Sequence, residues 1–145
     1  MKYAVLCKFE LSATSREEAI AELLALFPAG EKSRGLLAGA LDVRENVGAT
    51  VVHNSIALPH CRSILVDKLT IAVGKSPSGI PWPEEMVKTV ILFVSSVKPS
   101  APQEHSKFLG HIAGKIKNSG DKITAASNQN ELLDLLGFQP EEQGE

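Results

Sequence analysis

The strongest structural signal in the chain is Ser55-Ile56-Ala57-Leu58-Pro59-His60. Its apolar run from Ile56 to Leu58 is too short for a helix, which predicts a buried central strand. Pro59 has no N–H to give to a sheet, so we expect the strand to end there. His60 would then stand at a strand's carboxyl end, where open α/β folds bind their ligands. A histidine in that place can be a base, a metal ligand or a nucleophile, and an ordinary turn histidine is the alternative.

Helices and strands alternate along the rest of the chain. Ser15 and Glu18 have the spacing of a capping box, and they open a helix that ends by Pro28 and Gly30. Asn128 is expected to cap a last helix, which Gly137 ends. The other predicted segments are a helix over 33–42, strands near 50–52, 56–58, 68–73 and 87–95, a helix from 100 onwards, and 122–127, which is ambiguous between strand and helix. This order predicts an α/β sandwich, in which helices flank both faces of one mixed β-sheet.

Composition limits the class of protein. A chain of 145 residues with a net charge of −2 has the size of one domain and no basic surface for nucleic acid. We predict a single domain over 1–138 and a disordered acidic tail over 139–145. No signal segment and no apolar run of membrane-spanning length is present, which favours a cytoplasmic protein that does not insert into a membrane.

Several other kinds of site are disfavoured. Gly74-Lys75-Ser76 lacks the upstream glycine of a P-loop, and no Gly-x-Ser-x-Gly elbow exists. The histidines have no recognisable zinc spacing, although His53 and His60 could meet around a metal, so we predict no metal and no cofactor. Cys61 follows His60 directly, but adjacent strand residues point to opposite faces, so a structural role is favoured over a Cys/His pair.

Several further short motifs lie before and after the hexapeptide over 55–60. Arg44-Glu45 precedes it, and Leu69-Thr70-Ile71-Ala72-Val73-Gly74, Gly79-Ile80-Pro81-Trp82 and Gln103-Glu104-His105 follow it. From about 15 to 136 this order resembles the fructose/mannitol-type (type 2) EIIA domain of the bacterial phosphoenolpyruvate-dependent phosphotransferase system, including its nitrogen-related EIIA branch.

The resemblance implies a phosphotransferase component that works through a phosphohistidine. In that family the histidine matching His60 takes a phosphoryl group from HPr or an HPr-like phosphocarrier protein. It passes the group to an EIIB or sugar permease component. The alternative is a regulatory binding module of the nitrogen-related type, which controls a transporter or kinase through its phosphorylation state. A degenerate EIIA fold used only for structural contacts is a third reading.

The resemblance also implies companions for His60. Arg44 would offer its planar guanidinium to the phosphoryl group, unless it only forms a surface salt bridge. His105 lies near a helix N-terminus, which disfavours the imidazolium, and it could bond the phosphoryl oxygens, orient His60 or simply face solvent. Thr50 and Ser55 could add hydroxyl donors.

The chain departs from the family in the loop before His60. Glycines of the family pattern are replaced over 49–55, so the backbone there can no longer reach a positive φ cheaply, and the loop is expected to take another path. His53 is interpreted as a loop residue and His111 as a half-buried packing residue. Carrier docking is predicted at a modest apolar surface near His60. The residues considered for it, each of which could equally be core, are Ile64, Leu65 and Phe108, while Trp82 is expected to pack over the sheet edge.

Overall fold

A computed structural model of the chain describes residues 3–48, 51, 55–82, 85–97 and 101–138, without the side chains of 101 and 102. Its elements are β1 (Tyr3–Glu10), α1 (Arg16–Leu24), α2 (Glu31–Val47), β2 (Ile56–Ala57), β3 (His60–Ser63), β4 (Leu69–Trp82), β5 (Glu85–Ser96), α3 (Ala101–Ala125) and α4 (Gln129–Leu136). The predictions for Thr50, His53 and the tail over 139–145 lie outside the described residues. The division into a domain over 1–138 and a tail stays a prediction.

The strands form one mixed sheet. Its order is β1-β4-β5-β2, with β3 also paired to β5. β4 runs parallel to β1 and antiparallel to β5, whereas β2 and β3 both run parallel to β5. The predicted mixed sheet is therefore confirmed.

β2 and β3 are two parts of one interrupted strand. Ala57 pairs with Val90, and His60 pairs with Phe93, so the register stays the same across the gap. Pro59 cannot donate, but its carbonyl still accepts the Phe93 N–H at 3.1 Å, and pairing resumes at once. The predicted buried strand is present as β2 and ends before Pro59, but its predicted central place is wrong because it lies at the edge of the described sheet, and His60 opens β3 rather than ending a strand.

Each face of the sheet carries its own apolar core. One core joins α1 and α2 to the sheet residues Ala57, Ala72 and Leu92. The other joins α3 and α4 to alternate sheet residues, among them Ile71 and Phe93. Because successive side chains of a strand point to opposite faces, the same strands supply both cores. The predicted helices on both faces are confirmed.

The predicted helix ends are largely confirmed. The Ser15 side chain accepts the N–H of Glu18 at 3.1 Å, but the Glu18 carboxylate bonds Thr14 rather than completing the box on Ser15. The side chain of Asn128 accepts the N–H of Glu131 at 2.8 Å. Gly137 ends α4 with a φ of 84°, in the left-handed region that glycine adopts without strain.

Other element boundaries were predicted less well. α2 extends five residues past the predicted end at Asp42, to Val47. The ambiguous segment over 122–127 continues α3 as far as Ala125. β4 runs on through the supposed Gly79–Trp82 turn, and β1 had no predicted counterpart. In the described ranges no helix combines the length and apolarity needed to cross a membrane.

Candidate functional site

His60 opens β3 on the face of the sheet that α3 covers. Its side chain is only 8% exposed. Nδ1 lies 2.7 Å from the carbonyl oxygen of Leu58. A carbonyl can only accept, so Nδ1 carries the hydrogen and donates it, which leaves Nε2 with a free lone pair. The backbone thus fixes both the tautomer and the orientation of this imidazole.

An aromatic platform supports the His60 ring. Phe93, its register partner on β5, stacks on it with ring centroids 4.8 Å apart and planes 5° apart. Phe108 of α3 meets Phe93 edge-on at 4.8 Å. Phe108 is 3% exposed, so it belongs to the core and is excluded as a docking residue, whereas Ile64 is 81% exposed.

His105 reaches the same place from the first turns of α3. Its ring centroid lies 5.5 Å from that of His60, and its Nδ1 lies 2.6 Å from the Ser95 hydroxyl oxygen on β5. Burial lowers the pKa of His105 below 6.5, and the positive charge of Arg62 lowers it further. His105 is therefore neutral at physiological pH, and the two histidines predicted from the sequence do lie together.

Cys61 is separated from this site by the sheet. It packs among the residues of the α1/α2 core, on the face opposite to His60. Burial raises the pKa of its thiol to about 11, so almost none is thiolate at neutral pH. The predicted structural role agrees with this placement, and a Cys/His nucleophilic pair does not.

Arg44 and Arg62 differ in their relation to His60. Arg44 is exposed near the end of α2, where its Nη1 donates to the Gly48 carbonyl at 3.1 Å. In the described part of the chain no hydrogen bond or ion pair joins Arg44 to His60. Arg62 follows His60 by two residues on β3 and so shares its face, and its charge reaches His105. Sequence reasoning missed Arg62, although strand alternation from His60 could have found it.

Ser55 is a described residue of the loop before His60, in which glycines of the family pattern are replaced. It has a φ of 60°, the left-handed conformation that a glycine would supply. Its carbonyl accepts the N–H groups of Lys88 at 2.8 Å and Thr89 at 3.1 Å, which hold it in place. The backbone at Ser55 thus takes a positive φ at some cost in strain, and the predicted change of path over 49–55 stays a prediction.

Other highlighted residues have structural contacts. The Trp82 indole N–H donates to the Glu45 carboxylate at 3.1 Å, and both residues are buried in the α1/α2 half of the protein. His111 is exposed rather than half-buried, and its Nε2 lies 3.2 Å from the Leu136 carbonyl. Within the described ranges, no three His, Cys, Asp or Glu side chains gather as a metal site requires.

Comparison with known proteins places this geometry in a family. The model of the phosphoenolpyruvate-dependent sugar phosphotransferase system EIIA 2 family matches residues 4–137. The chain belongs to this EIIA type 2 family. The family takes part in phosphoryl transfer, and the resemblance inferred from the ordered motifs is confirmed.

Curated relatives of this EIIA chain include much longer proteins. It is 25% identical over 95 residues to multiphosphoryl transfer protein 1 of Escherichia coli (strain K12), which covers 64% of the chain and 11% of that protein. The multiphosphoryl transfer protein of Shigella flexneri matches over the same share at 24% identity. The matched region is thus about a tenth of the length of these relatives.

Solved EIIA structures share the fold. The nitrogen regulatory protein IIA-Ntr from Neisseria meningitidis matches with a TM-score of 0.75 and 21% identity, over 92% of both chains. IIA mannitol from Escherichia coli matches with a TM-score of 0.70 and 19% identity, over 90% of this chain and 95% of that one. IIA mannitol in its complex with phosphorylated IIB mannitol matches with a TM-score of 0.66 and 20% identity, over 90% of this chain and 92% of that chain.

Proposed function

We propose that this EIIA chain is a phosphohistidine carrier that accepts a phosphoryl group on Nε2 of His60. The observation that carries the proposal is the hydrogen bond from His60 Nδ1 to the Leu58 carbonyl, at 2.7 Å. With Nδ1 protonated, the lone pair of Nε2 is the nucleophile that can attack phosphorus. The phosphorus–nitrogen bond of the donor breaks as the bond to Nε2 forms, and the donor histidine keeps the released electron pair.

The surroundings suit a transient phosphoryl group. A carrier must hold a charge near −2 without stabilising it so well that transfer stops. Arg62, whose charge reaches the site, is one candidate counter-charge, and Arg44, Ser55 and Thr50 remain proposed phosphate ligands. An exposed arginine gives up less free energy on losing such a group than a buried ion pair would, so the group remains transferable.

The proposed donor is an HPr-like phosphocarrier protein. The proposed recipient is an EIIB or sugar permease component, and the mannitol relative solved with its phosphorylated IIB partner favours it. The regulatory alternative, control of a transporter or kinase, has equal support from the IIA-Ntr relative. A pull-down with phosphorylated and unphosphorylated protein separates the two, because a permease component supports sugar transport and another regulated partner supports the nitrogen-related role.

Replacing His60 tests the carrier function directly. Wild-type protein incubated with phosphoenolpyruvate, Enzyme I and HPr should gain the mass of one phosphoryl group, and His60→Ala should gain none. Intact-mass spectrometry at neutral or alkaline pH is the measurement, because phosphohistidine is labile in acid.

A matched histidine variant controls for nonspecific phosphorylation. His111→Ala removes an exposed histidine of α3 and should take up the group as wild type does. Normal uptake by folded His60→Ala would sink the assignment. So would no uptake by wild type in a mixture that phosphorylates another EIIA.

A further inference from the structure

Ser95 connects the sheet to the histidine on α3. It lies on β5 two residues beyond Phe93, and it pairs in register with Arg62. Its side chain is 1% exposed, and its oxygen lies 2.6 Å from Nδ1 of His105. Ser95 thus contacts the His105 ring at its Nδ1, just as the Leu58 carbonyl contacts the His60 ring.

The direction of this hydrogen bond follows from counting hydrogens. In the described part of the chain, the Ser95 hydroxyl has one hydrogen-bond partner, which is Nδ1 of His105. If Nδ1 carried a hydrogen, the buried hydroxyl hydrogen would be left without an acceptor, which is unfavourable. If the hydroxyl donates to a bare Nδ1, every hydrogen in the pair is used. In a neutral imidazole the remaining hydrogen is then on Nε2.

We propose that Ser95 is a positioning residue, which donates to Nδ1 of His105 and so leaves His105 with an Nε2–H to offer the phosphoryl group on His60. The two rings are then held in opposite tautomers. His60 presents a bare Nε2 that can bond phosphorus, and His105 presents a donor that can bond a phosphoryl oxygen. The low pKa of His105 agrees, because a neutral ring has a tautomer to fix. The role of His105 in phosphoryl transfer rests on the proposed carrier function. The tautomer of His105 does not, because it is a property of the unphosphorylated protein.

The tautomer can be measured without any phosphoryl donor. Long-range ¹H–¹⁵N correlation spectra of the uniformly ¹⁵N-labelled protein at pH 8 should show His105 with a protonated Nε2 and a bare Nδ1. His60 should show the reverse pattern. The signals of His105 are assigned by their loss in His105→Gln. A wild-type His105 protonated on Nδ1 overturns the proposal without the need for a Ser95 variant.

Two Ser95 variants then test what the hydroxyl does. Ser95→Ala should give a mixture of His105 tautomers and slow phosphoryl uptake by His60 about tenfold, the value of one hydrogen bond to a charged group. Ser95→Thr keeps a hydroxyl and should restore both the tautomer and the rate. The tautomer of His60 should be the same in all three proteins, which controls for damage to the site.

The outcomes separate this inference from the carrier function. An unchanged His105 tautomer in Ser95→Ala overturns the inference, whether or not His60 is phosphorylated. A changed tautomer with an unchanged uptake rate overturns the positioning role. Absence of uptake by wild type counts against the carrier function, while the spectra still decide the state of His105.

Discussion

His60 and His105 are held by different chemical groups, and that difference sets their chemistry. A backbone carbonyl accepts from Nδ1 of His60, whereas a hydroxyl, which can donate or accept, faces Nδ1 of His105. The His60 tautomer is therefore fixed by the backbone alone. The His105 tautomer depends on one side chain, so it can be changed by a single substitution.

Ser55 has a positive φ where the family pattern described above has a glycine. A φ of 60° forces the serine Cβ close to its own backbone, at a cost of about 1–2 kcal/mol. Two hydrogen bonds from β5 to its carbonyl keep it there. Ser55 thus adopts a conformation in which a glycine would be free of this strain.

Ser55→Gly should stabilise the protein. Removing the Cβ relieves the strain, and the greater freedom of glycine in the unfolded chain takes back part of the gain, so the free energy of unfolding should rise by about 0.5–1 kcal/mol. Urea unfolding followed by circular dichroism is the measurement. Ser106→Gly, on the exposed face of α3, is the control and should lose about 0.5 kcal/mol. A loss of stability in Ser55→Gly would mean that the serine side chain contributes more than the strain removes.

At the scale of elements, the end of α3 depends on a lysine from the sheet. Lys75 of β4 is 5% exposed, and its ammonium group donates to the carbonyls of Ile123, Thr124 and Ala126. Carbonyls at a helix C-terminus have no partner within the helix, and a cation there also opposes the helix dipole. A residue that resembled part of a P-loop in the sequence is instead a cap on a distant helix.

Lys75→Met should destabilise the protein by about 2–4 kcal/mol, because methionine keeps the length of the side chain but removes a charged donor from three carbonyls at the end of α3. Lys88→Met is the matched control, since Lys88 lines the same cavity of about 410 Å³ but is exposed, and it should change stability by less than about 0.5 kcal/mol. Chemical unfolding at pH 7 gives both values. Equal effects of the two substitutions would rule out the capping role.

The stability of wild type and that of Lys75→Met should depend differently on pH. Burial lowers the pKa of Lys75 below 10.5, which nearby Glu131 partly opposes. Between that lowered pKa and 10.5 the folded chain binds fewer protons than the unfolded chain, so this contribution to stability rises with pH across the window. The stability gap between wild type and Lys75→Met should therefore widen at alkaline pH. The thiols of Cys7 and Cys61 titrate in both proteins and cancel in the comparison.

At the scale of the whole molecule, His60 lies on the edge strand of the sheet, on the face that α3 covers. α3 covers the ring from one side, while the interrupted strand continues into a turn that carries exposed Ile64. Of the three docking residues considered from the sequence, Ile64 is the one whose exposure suits a contact with a carrier protein.

Ile64→Asp should slow phosphoryl uptake from the HPr-like carrier about tenfold, because it puts a charge where the docked carrier would bury an apolar side chain. Uptake from the small donor phosphoramidate should not change, since His60 itself is untouched. Leu36→Asp is the control, because Leu36 is also an exposed apolar residue, 57% exposed, but lies in the N-terminal half of α2. Quench-flow rates with both donors are the measurement. An unchanged rate with the carrier would exclude Ile64 from the docking surface.

The sequence by itself determined the family, the mixed sheet with helices on both faces, and the helix ends at Ser15, Asn128 and Gly137. These ends rest on interactions within about one helical turn, so nearby residues suffice to predict them. The histidine pair could be inferred because the ordered motifs of the family carry both members. The two-residue period of a strand was enough to predict that Cys61 and His60 point to opposite faces of the sheet.

The tertiary structure alone decided that β2 and β3 form an edge strand, because helices cover both faces of the sheet and hide the difference between edge and centre in the hydrophobic pattern. It also decided the partners that distant parts of the chain bring together. Lys75 caps carbonyls 48–51 residues away, and Ser95 meets His105 across two elements. Such contacts depend on strand register and helix placement, which the residues near each side chain do not specify.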